Sequence, residues 1–178
     1  MRVITGTARG RVLKTLPGDA TRPTTGKVKE AIFSSIQFEL EGRRVLDLFA
    51  GSGGMGIEAL SRGASHAVFI DANQAAATVV RENVQTTGFT ANSVVLCRKA
   101  EDFLVPCKEE FDVVFLDPPY GLNCIPTLFP SLLPHLSDYA VVVCEHAANT
   151  PLPEEFGEFK AGKMKKYGSI AVTIYRKR

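Results

Sequence analysis

Short runs of β-branched and aliphatic residues alternate with amphipathic stretches along most of the chain. The runs are typical of buried strands, and the stretches between them carry apolar residues at helical spacing. The predicted strands are 44–48, 66–71, 93–98, 111–116 and 139–145, and the predicted helices are 53–62, 73–86, 100–105 and 123–133. This alternation is typical of βαβ units, so we predict an α/β fold with a mostly parallel sheet and helices on both faces.

The N-terminal part follows a different pattern. Residues 1–20 alternate loosely between apolar and polar positions and close with a Pro-Gly-Asp turn, which predicts a small β-hairpin. Apolar positions in 28–40 then recur at helical spacing, with Thr24 or Thr25 available as the helix cap. We therefore expect a hairpin and a helix to precede the core.

The C-terminal part alternates with the period of a strand. Residues 158–166 and 169–176 lie on either side of a Tyr-Gly pair and predict an antiparallel hairpin at the sheet edge. With 178 residues, the chain has the length of one domain. We predict a single domain, 1–178, in which residues 1–40 form an N-terminal extension and residues 41–178 form the core.

The first predicted strand ends at Asp47 and passes directly into a glycine-rich loop, residues 48–56. Glycines let the backbone approach a ligand closely, and α/β sheets bind ligands at the carboxyl ends of their strands. The second predicted strand ends at Asp71, twenty residues after Gly51, where a carboxylate can accept hydrogen bonds from ribose hydroxyls. These features predict a nucleotide-like cofactor at the first crossover.

The position of Asp47 distinguishes two kinds of cofactor. A carboxylate four residues before Gly51 would repel a pyrophosphate, but it could hold the ammonium group of a methionine moiety, directly or through water. The alternative role for Asp47 is to cap a helix or brace the loop. The run from Asp47 to Gly54 resembles the cofactor loop of class I S-adenosylmethionine-dependent methyltransferases. This resemblance implies S-adenosyl-L-methionine as the cofactor and a Rossmann-like fold.

The fourth predicted strand runs into Asp117-Pro118-Pro119-Tyr120, at the same sheet edge as Asp47. The two prolines fix the backbone and leave carbonyl oxygens and one carboxylate as acceptors. If the Asp117 carboxylate and the Pro118 carbonyl accept the two hydrogens of an exocyclic amine, they orient its lone pair toward a methyl donor. Tyr120 would stack on the base. We predict these four residues to be catalytic, and they resemble the (Asp/Asn/Ser)-Pro-Pro-(Tyr/Phe/Trp) signature of amino-directed methyltransferases.

The formal net charge of +2 conceals an uneven distribution of charge. Residues 1–29 and residues 158–178 each carry a net charge of +6, and the residues between them carry −10. Two basic ends around an acidic middle indicate a polyanionic partner, although solvated surface side chains are the alternative. Phosphate contacts from these ends would supply affinity, and a base splayed into the Tyr120 pocket would supply specificity.

The whole chain resembles the bacterial 16S rRNA guanine-N2 methyltransferase family of the RsmD type. The matching segments are 2–11, 21–33, the Asp47 loop, Asp117 to Tyr120, Glu145-His146 and 166–168. The resemblance implies a seven-stranded Rossmann-like sheet and methylation of N2 of one guanine in 16S rRNA, within the assembled small ribosomal subunit. It also implies that Arg22, Pro23 and Thr24 form a loop near the catalytic pocket. The predicted RNA contacts are Arg9, Arg11, Arg22, Pro23, Thr24 and Lys166.

One position departs from the family pattern. Relatives place an acidic or amide residue after the third strand to contact adenine, whereas this chain has Lys99 there. The adenine contact therefore falls to the Ala100 backbone, to Glu101 or to Asp102. The predicted cofactor contacts are Asp47, Phe49, Gly51, Ser52, Gly53, Asp71, Ala100 and Glu101.

Other classes of protein fit the sequence less well. The four cysteines form no C-x-x-C pair and the three histidines lie apart from other ligand types, so we predict no metal site. No long apolar run or leader is present, so we expect no membrane segment and a cytoplasmic protein, acting as a monomer.

The alternatives that stay open are a DNA adenine-N6 or cytosine-N4 methyltransferase, a glutamine methyltransferase and a non-catalytic RNA-binding assembly factor. The first would use the same residues, but 178 residues leave little room for a DNA-recognition domain. The second would favour Asn in place of Asp117 and would leave the basic ends unexplained. The third would not require an intact Asp117-Pro-Pro-Tyr120 segment.

Overall fold

The computed structural model describes residues 1–17, 26–119 and 121–177, and the chain forms a mixed sheet between two layers of helices. The helices are α1 Gly26–Ser35, α2 Gly54–Ser61, α3 Gln74–Thr87, α4 Ala100–Leu104 and α5 Ile125–Leu132. The strands are β1 Arg44–Asp47, β2 His66–Asp71, β3 Ser93–Cys97, β4 Phe111–Leu116, β5 Leu136–Ala147, β6 Glu155–Phe156, β7 Phe159–Ala161, β8 Lys165–Tyr167 and β9 Ile170–Lys177. Short 3₁₀ turns follow α1, α3 and α5.

The strand order is β3-β2-β1-β4-β5-β9-β7-β6, with β8 also paired to β9. Strands β1 to β5 are parallel to one another, and β9 pairs antiparallel with β5. Parallel strands need long crossover connections, here through helices, which is why helices alternate with β1 to β5 along the chain. The predicted α/β fold, with a mostly parallel sheet and antiparallel strands at the C-terminus, is confirmed.

Alternating side chains of each strand enter two separate cores. In β1, Val45 packs with α1, α2 and α3 on one face, whereas Leu46 packs with α4 and α5 on the other. The same alternation places Phe115 of β4 in the first core and Val114 in the second. Because both faces are covered, the central strands are apolar nearly throughout.

The predicted C-terminal hairpin is confirmed, since β8 and β9 pair antiparallel on either side of Gly168, but the strands around it are more divided than predicted. Strand β9 lies between β5 and the pair β7 and β8, so it is not at the sheet edge. The predicted strand 158–166 is interrupted at 162–164, which divides it into β7 and β8. In the part of the chain that is described, the sheet has nine strands instead of seven, because of this division and the two-residue strand β6.

Residues 1–17, here called the N-terminal segment, fold back on themselves as predicted, but within this described range they form an isolated bridge and no regular strand. A single antiparallel bridge joins Arg2 and Val12, and the Leu13 N–H donates to the Met1 carbonyl at 2.9 Å. The helix that follows is also shorter than predicted, since α1 ends at Ser35 and a 3₁₀ turn continues the buried apolar positions to Leu40. The proposed caps Thr24 and Thr25 lie outside the described residues.

Most other boundaries agree with the predicted ranges to within two residues. The exception is β5, which begins three residues earlier because Leu136 pairs with Phe111 ahead of a register shift. Among the helices in the described ranges, none is long and apolar enough to cross a membrane.

Candidate active site

Three predicted site aspartates end neighbouring strands of the sheet. Strand β1 lies between β2 and β4, and its last residue, Asp47, pairs with Phe69 of β2 and Phe115 of β4. Asp71 ends β2, and Asp117 directly follows β4. Because these strands are parallel, their carboxyl ends meet at one edge of the sheet, here called the carboxyl edge. The structure therefore brings the three carboxylates to the same edge.

The loop between β1 and α2 requires glycine. Gly51 and Gly53 have φ values of +55° and +81°, in the left-handed region that residues with a Cβ rarely adopt. A Cβ added at Gly53 would lie 3.2 to 3.4 Å from core side chains, whereas one at Gly51 would meet no described heavy atom within 4 Å. The loop thus packs tightly on its inner side and leaves open space at Gly51, as a ligand-binding loop should.

Asp47 lies beneath this loop and is 3% exposed. Its Oδ2 accepts a hydrogen bond from the Gly56 N–H, 3.0 Å away, in the first turn of α2. Burial raises the pKa of Asp47, the Gly56 N–H partly opposes this and the negative charge of Asp71 adds to it, so that the pKa is about 7. Asp47 therefore braces the loop, which was the alternative role in the sequence analysis. Its ionised form would gain from a cation placed beside it.

Asp71 is half-buried and holds the outer part of the loop. Its Oδ2 accepts from the Gly51 N–H and its Oδ1 from the Asn73 N–H, both at 2.8 Å. These bonds keep the carboxylate beside Gly51, where it was predicted to meet a ribose. Asn73 in turn caps α3 by accepting from the Ala75 N–H at 2.8 Å.

The start of α4 adjoins Asp71, because the Arg98 N–H donates to the Asp71 carbonyl at 3.0 Å. Ala100 is buried at the first position of α4, and Glu101 is exposed beside it. Lys99 is the N-cap residue and makes no capping hydrogen bond through its side chain. The structure thus places two of the predicted adenine contacts, Ala100 and Glu101, next to the β2 end of the carboxyl edge.

The predicted catalytic segment follows β4 directly. Asp117 is half-buried, Pro118 is buried and Pro119 is exposed. The Pro119 carbonyl accepts from the Leu122 N–H at 3.2 Å, so it is already engaged in a turn. The Pro118 carbonyl stays the predicted acceptor for an amine. Tyr120 lies outside the described residues.

A pocket opens between this segment and the end of β5. The pocket is lined by Pro118, Pro119, Leu122 and Asn123 on one side and by Glu145, His146, Thr150 and Leu152 on the other. His146 orients the second wall, because its Nδ1 lies 3.0 Å from the carbonyl oxygens of Ala147 and Thr150 and its Nε2 lies 2.9 Å from Thr173 Oγ1. Nδ1 must therefore donate, because a carbonyl oxygen can only accept.

The remaining predicted cofactor residues lie around the loop. Phe49 is half-buried and packs against the core on the α4 and α5 side. Ser52 is buried, and its carbonyl accepts from Asn83 Nδ2 at 2.9 Å. The same Asn83 side chain accepts from the Lys14 N–H at 2.8 Å and donates to the Lys14 carbonyl at 2.9 Å. Asn83 thus ties the N-terminal segment to the glycine loop.

Neither Asn83 nor a role for the wall formed by Glu145, His146 and Thr150 was predicted from the sequence. An amide on the apolar face of α3, between Val80 and Val84, was the available signal for Asn83. For the wall, a polar pair that ends a buried strand was the corresponding signal.

Those predicted RNA contacts that the structure describes lie in two separate places. Arg9 and Arg11 are exposed on the N-terminal segment, where Thr7 N–H donates to the Ser61 carbonyl at the C-terminal end of α2. A helix of this length puts Arg9 about 12 Å from the glycine loop along the α2 axis. Lys166 is exposed on β8. Arg22, Pro23 and Thr24 lie outside the described residues, and within the described ranges no group of His, Cys, Asp or Glu could hold a metal ion.

This chain is similar to known proteins over nearly its whole length. A family model described as "Conserved hypothetical protein 95" matches residues 1–176. The chain is 43% identical over 183 residues to "Putative rRNA methyltransferase YlbH" of Bacillus subtilis, covering 100% of both chains. It is 30% identical over 179 residues to "Ribosomal RNA small subunit methyltransferase D" of Escherichia coli strain K12, covering 99% of this chain and 90% of the relative.

A solved structure shows the same architecture. "Putative methyltransferase yhhF from Escherichia coli" superposes with a TM-score of 0.90 and 29% sequence identity, covering 100% of this chain and 98% of that chain. The similarity thus extends over the N-terminal segment, the sheet and the C-terminal strands alike.

Proposed function

This chain belongs to the family described as conserved hypothetical protein 95, and from that premise we propose that it is an S-adenosylmethionine-dependent rRNA methyltransferase. The proposed reaction transfers one methyl group to the exocyclic N2 amine of a guanine in 16S rRNA. The observation that carries the proposal is the carboxyl edge, where the Asp47 loop and the Asp117-Pro118-Pro119 segment end adjacent parallel strands.

The residues at this edge fit S-adenosylmethionine. The open side of Gly51 admits a ligand, the Asp71 carboxylate is held beside it for ribose hydroxyls, and Asp47 supplies a buried negative charge for an ammonium group. Ala100 and Glu101 would border the adenine. When bound, this cofactor supplies an electrophilic methyl group on a sulfonium.

The chain's own residues then act by positioning and electrostatics. The Asp117 carboxylate and the Pro118 carbonyl accept hydrogen bonds from the two N–H groups of the guanine N2 amine. These hydrogen bonds draw the nitrogen lone pair out of conjugation with the ring and orient it toward the methyl donor. The pocket between Leu122 and Thr150 surrounds the base, and its proline and leucine side chains exclude water.

The identity of the substrate is supported by the relatives and by charge. The two relatives described above are both named as rRNA methyltransferases, and the Escherichia coli relative is named for the small subunit. The exposed basic residues Arg9, Arg11 and Lys166 lie outside the pocket, where they can meet phosphates. We propose the small ribosomal subunit as the partner, and action in the cytoplasm as a monomer.

The decisive experiment supplies labelled S-adenosylmethionine and three separate acceptors: unmethylated small subunits, naked rRNA and duplex DNA. The modified nucleoside is then identified by mass spectrometry. We expect N2-methylguanine in the small subunits or the rRNA. Label only in DNA would favour the DNA amino-methyltransferase, and binding of RNA without any label would favour the assembly factor.

Asp117→Ala tests the role of the catalytic segment. Removal of one of the two amine acceptors should lower kcat by about a hundredfold or more, as for other preorganised hydrogen-bond partners. Binding of S-adenosylmethionine, measured by calorimetry, should change less than about twofold, because Asp117 faces the amine. Retained turnover would contradict the role given to Asp117.

A further inference from the structure

A second concave surface lies on the α1 face of the sheet, separate from the pocket beside Pro118. We call it the α1 groove. Its floor is β9, its first wall is α1, and its second wall is formed by β8 and the connection 162–164. The floor is apolar, because Val172 and Ile174 of β9 belong to the core on this face.

The walls of the α1 groove are basic. Lys163, Lys165 and Arg176 line it, and none of its described lining residues is acidic. Lys163 and Lys165 are exposed, and Lys165 Nζ lies 3.2 Å from Ser35 Oγ of α1. Arg176 instead donates to both carboxylate oxygens of Glu39 at 2.8 Å, which closes the groove at its far end. The accessible charge is therefore that of the two lysines.

The near end of the α1 groove reaches the carboxyl edge. Tyr167 pairs with Ile170, which pairs with Ala147 at the end of β5, and Ala147 also lines the pocket beside Pro118. Two strand spacings place the backbones of Tyr167 and Ala147 about 10 Å apart. The groove therefore begins close to the place where the target base would lie.

Tyr167 gives this near end an aromatic surface. Its side chain is half-buried, packs against the core on the α1 side and lines the groove. Aromatic rings beside a basic channel are the usual means of holding single-stranded nucleic acid, because every base can stack on them. Lys166 lies between Lys165 and Tyr167 on β8, so its side chain points to the opposite face of the sheet and is not part of this surface.

We propose that the α1 groove binds the single-stranded RNA that flanks the target guanine. The phosphates contact Lys163 and Lys165, and a flanking base packs against Tyr167. This inference rests on the proposed function, since it requires an RNA substrate. The lack of acidic side chains among the described lining residues, the apolar floor and the connection to the carboxyl edge together favour a nucleic-acid strand as the occupant.

The experiment measures binding of fluorescein-labelled RNA oligonucleotides by anisotropy over a series of KCl concentrations. The oligonucleotides carry the guanine that the wild-type protein methylates, with or without flanking nucleotides. The variants are Lys163→Ala/Lys165→Ala and Tyr167→Leu. The matched control is Lys108→Ala, because Lys108 is exposed and precedes β4, at the end of the parallel strands opposite to the carboxyl edge. Circular dichroism and calorimetry with S-adenosylmethionine verify that each variant is folded and binds the cofactor.

We expect the double lysine variant to bind the long RNA about tenfold more weakly and to lower the salt slope by about 0.7 for each lysine. Tyr167→Leu should weaken binding by about tenfold at an unchanged slope. Lys108→Ala should bind as the wild type does. With the short RNA, all variants should bind equally, because the flanking nucleotides are absent.

Three other results would overturn the inference. Wild-type affinity and slope in groove variants of an enzyme that methylates RNA would reject the groove and leave the proposed function intact. Loss of methylation only on assembled small subunits, with unchanged binding of naked RNA, would assign the groove to a protein of the particle. Failure of the wild type to bind or methylate any RNA would reject the proposed function and the groove together.

Discussion

At the scale of a single residue, burial of Asp47 raises the pKa of its carboxyl group and so couples its ionisation to the binding of a cation. The side chain is 3% exposed, and the Gly56 N–H does not offset the loss of water around it, so the pKa rises to about 7. A carboxyl group with a raised pKa favours the folded state most at low pH, and this contribution is lost as pH rises through about 7. A bound ammonium group would offset the cost of burying the ionised Asp47 carboxylate.

This balance predicts that cofactor affinity depends on pH. We expect the affinity for S-adenosylmethionine to increase as pH rises from about 6 to 7.5, because the ammonium group binds the ionised form of Asp47. Calorimetry across this range should detect proton release on binding near pH 6. Asp47→Asn should bind more weakly and lose the pH dependence. A similar pH dependence in that variant would assign the titration to another group.

Asn83 belongs to the same scale, since one side chain joins Lys14 to the carbonyl of Ser52. We expect Asn83→Ala to weaken binding of S-adenosylmethionine by about tenfold, because the Ser52 carbonyl loses its partner and the loop is less well ordered. Asn92→Ala is the matched control, because that exposed amide donates to the Ser65 carbonyl, away from the loop. Equal cofactor affinity in both variants would remove Asn83 from the site.

At the scale of elements, a buried ionic cluster attaches the N-terminal segment to α1 and α2. Glu58 of α2 is fully buried and accepts from Lys29 Nζ at 3.0 Å and from Arg62 Nε at 2.9 Å. It also accepts from the N–H groups of Ile4 and Thr5 at 2.8 and 3.0 Å. Burial opposes ionisation of Glu58, but the positive charge of Lys29 and these donors outweigh it and hold its pKa below the usual range.

This cluster predicts a large effect on stability. Glu58→Gln should lower the free energy of unfolding by about 3 kcal/mol, because it leaves the Lys29 ammonium buried without a counter-ion. Glu82→Gln is the matched control, since its partner Lys14 is exposed, and it should cost less than about 1 kcal/mol. Urea denaturation at pH 7 measures both. The contribution of Glu58 is present above its unfolded pKa and is lost in acid.

The distribution of charge is a property of the whole molecule. The N-terminal segment, with Arg9 and Arg11, packs on α2 and α3, whereas Lys163 and Lys165 lie beyond α1 at the other end of the sheet. Helices α1, α2 and α3 cover the same face of the sheet. Arg9 and Arg11 therefore lie on the same face of the sheet as Lys163 and Lys165, on the other side of α1.

This arrangement predicts that the basic ends bind RNA and leave the cofactor unaffected. Arg9→Ala/Arg11→Ala should weaken RNA binding at low salt and flatten its dependence on salt by about 0.7 to 0.9 for each phosphate that is no longer neutralised. Cofactor affinity should not change, because Arg9 lies at the far end of α2. Anisotropy in a KCl series measures the first effect and calorimetry the second. An unchanged salt slope would show that these arginines are solvated surface side chains that do not contact RNA.

The order of elements, the parallel core and the aspartates at the strand ends could all be predicted from the amino-acid sequence. Those features follow from local periodicity and from short motifs, such as Asp117-Pro118-Pro119, that depend only on neighbouring residues. Three other features are visible only in the folded chain. Strand β9 lies inside the sheet, Asn83 supports the glycine-rich loop at Ser52, and Glu58 attaches the N-terminal segment to α2. The pKa of Asp47 and the basic walls of the α1 groove belong with them. Burial and charge environment depend on which distant segments pack together, and no local pattern encodes that packing.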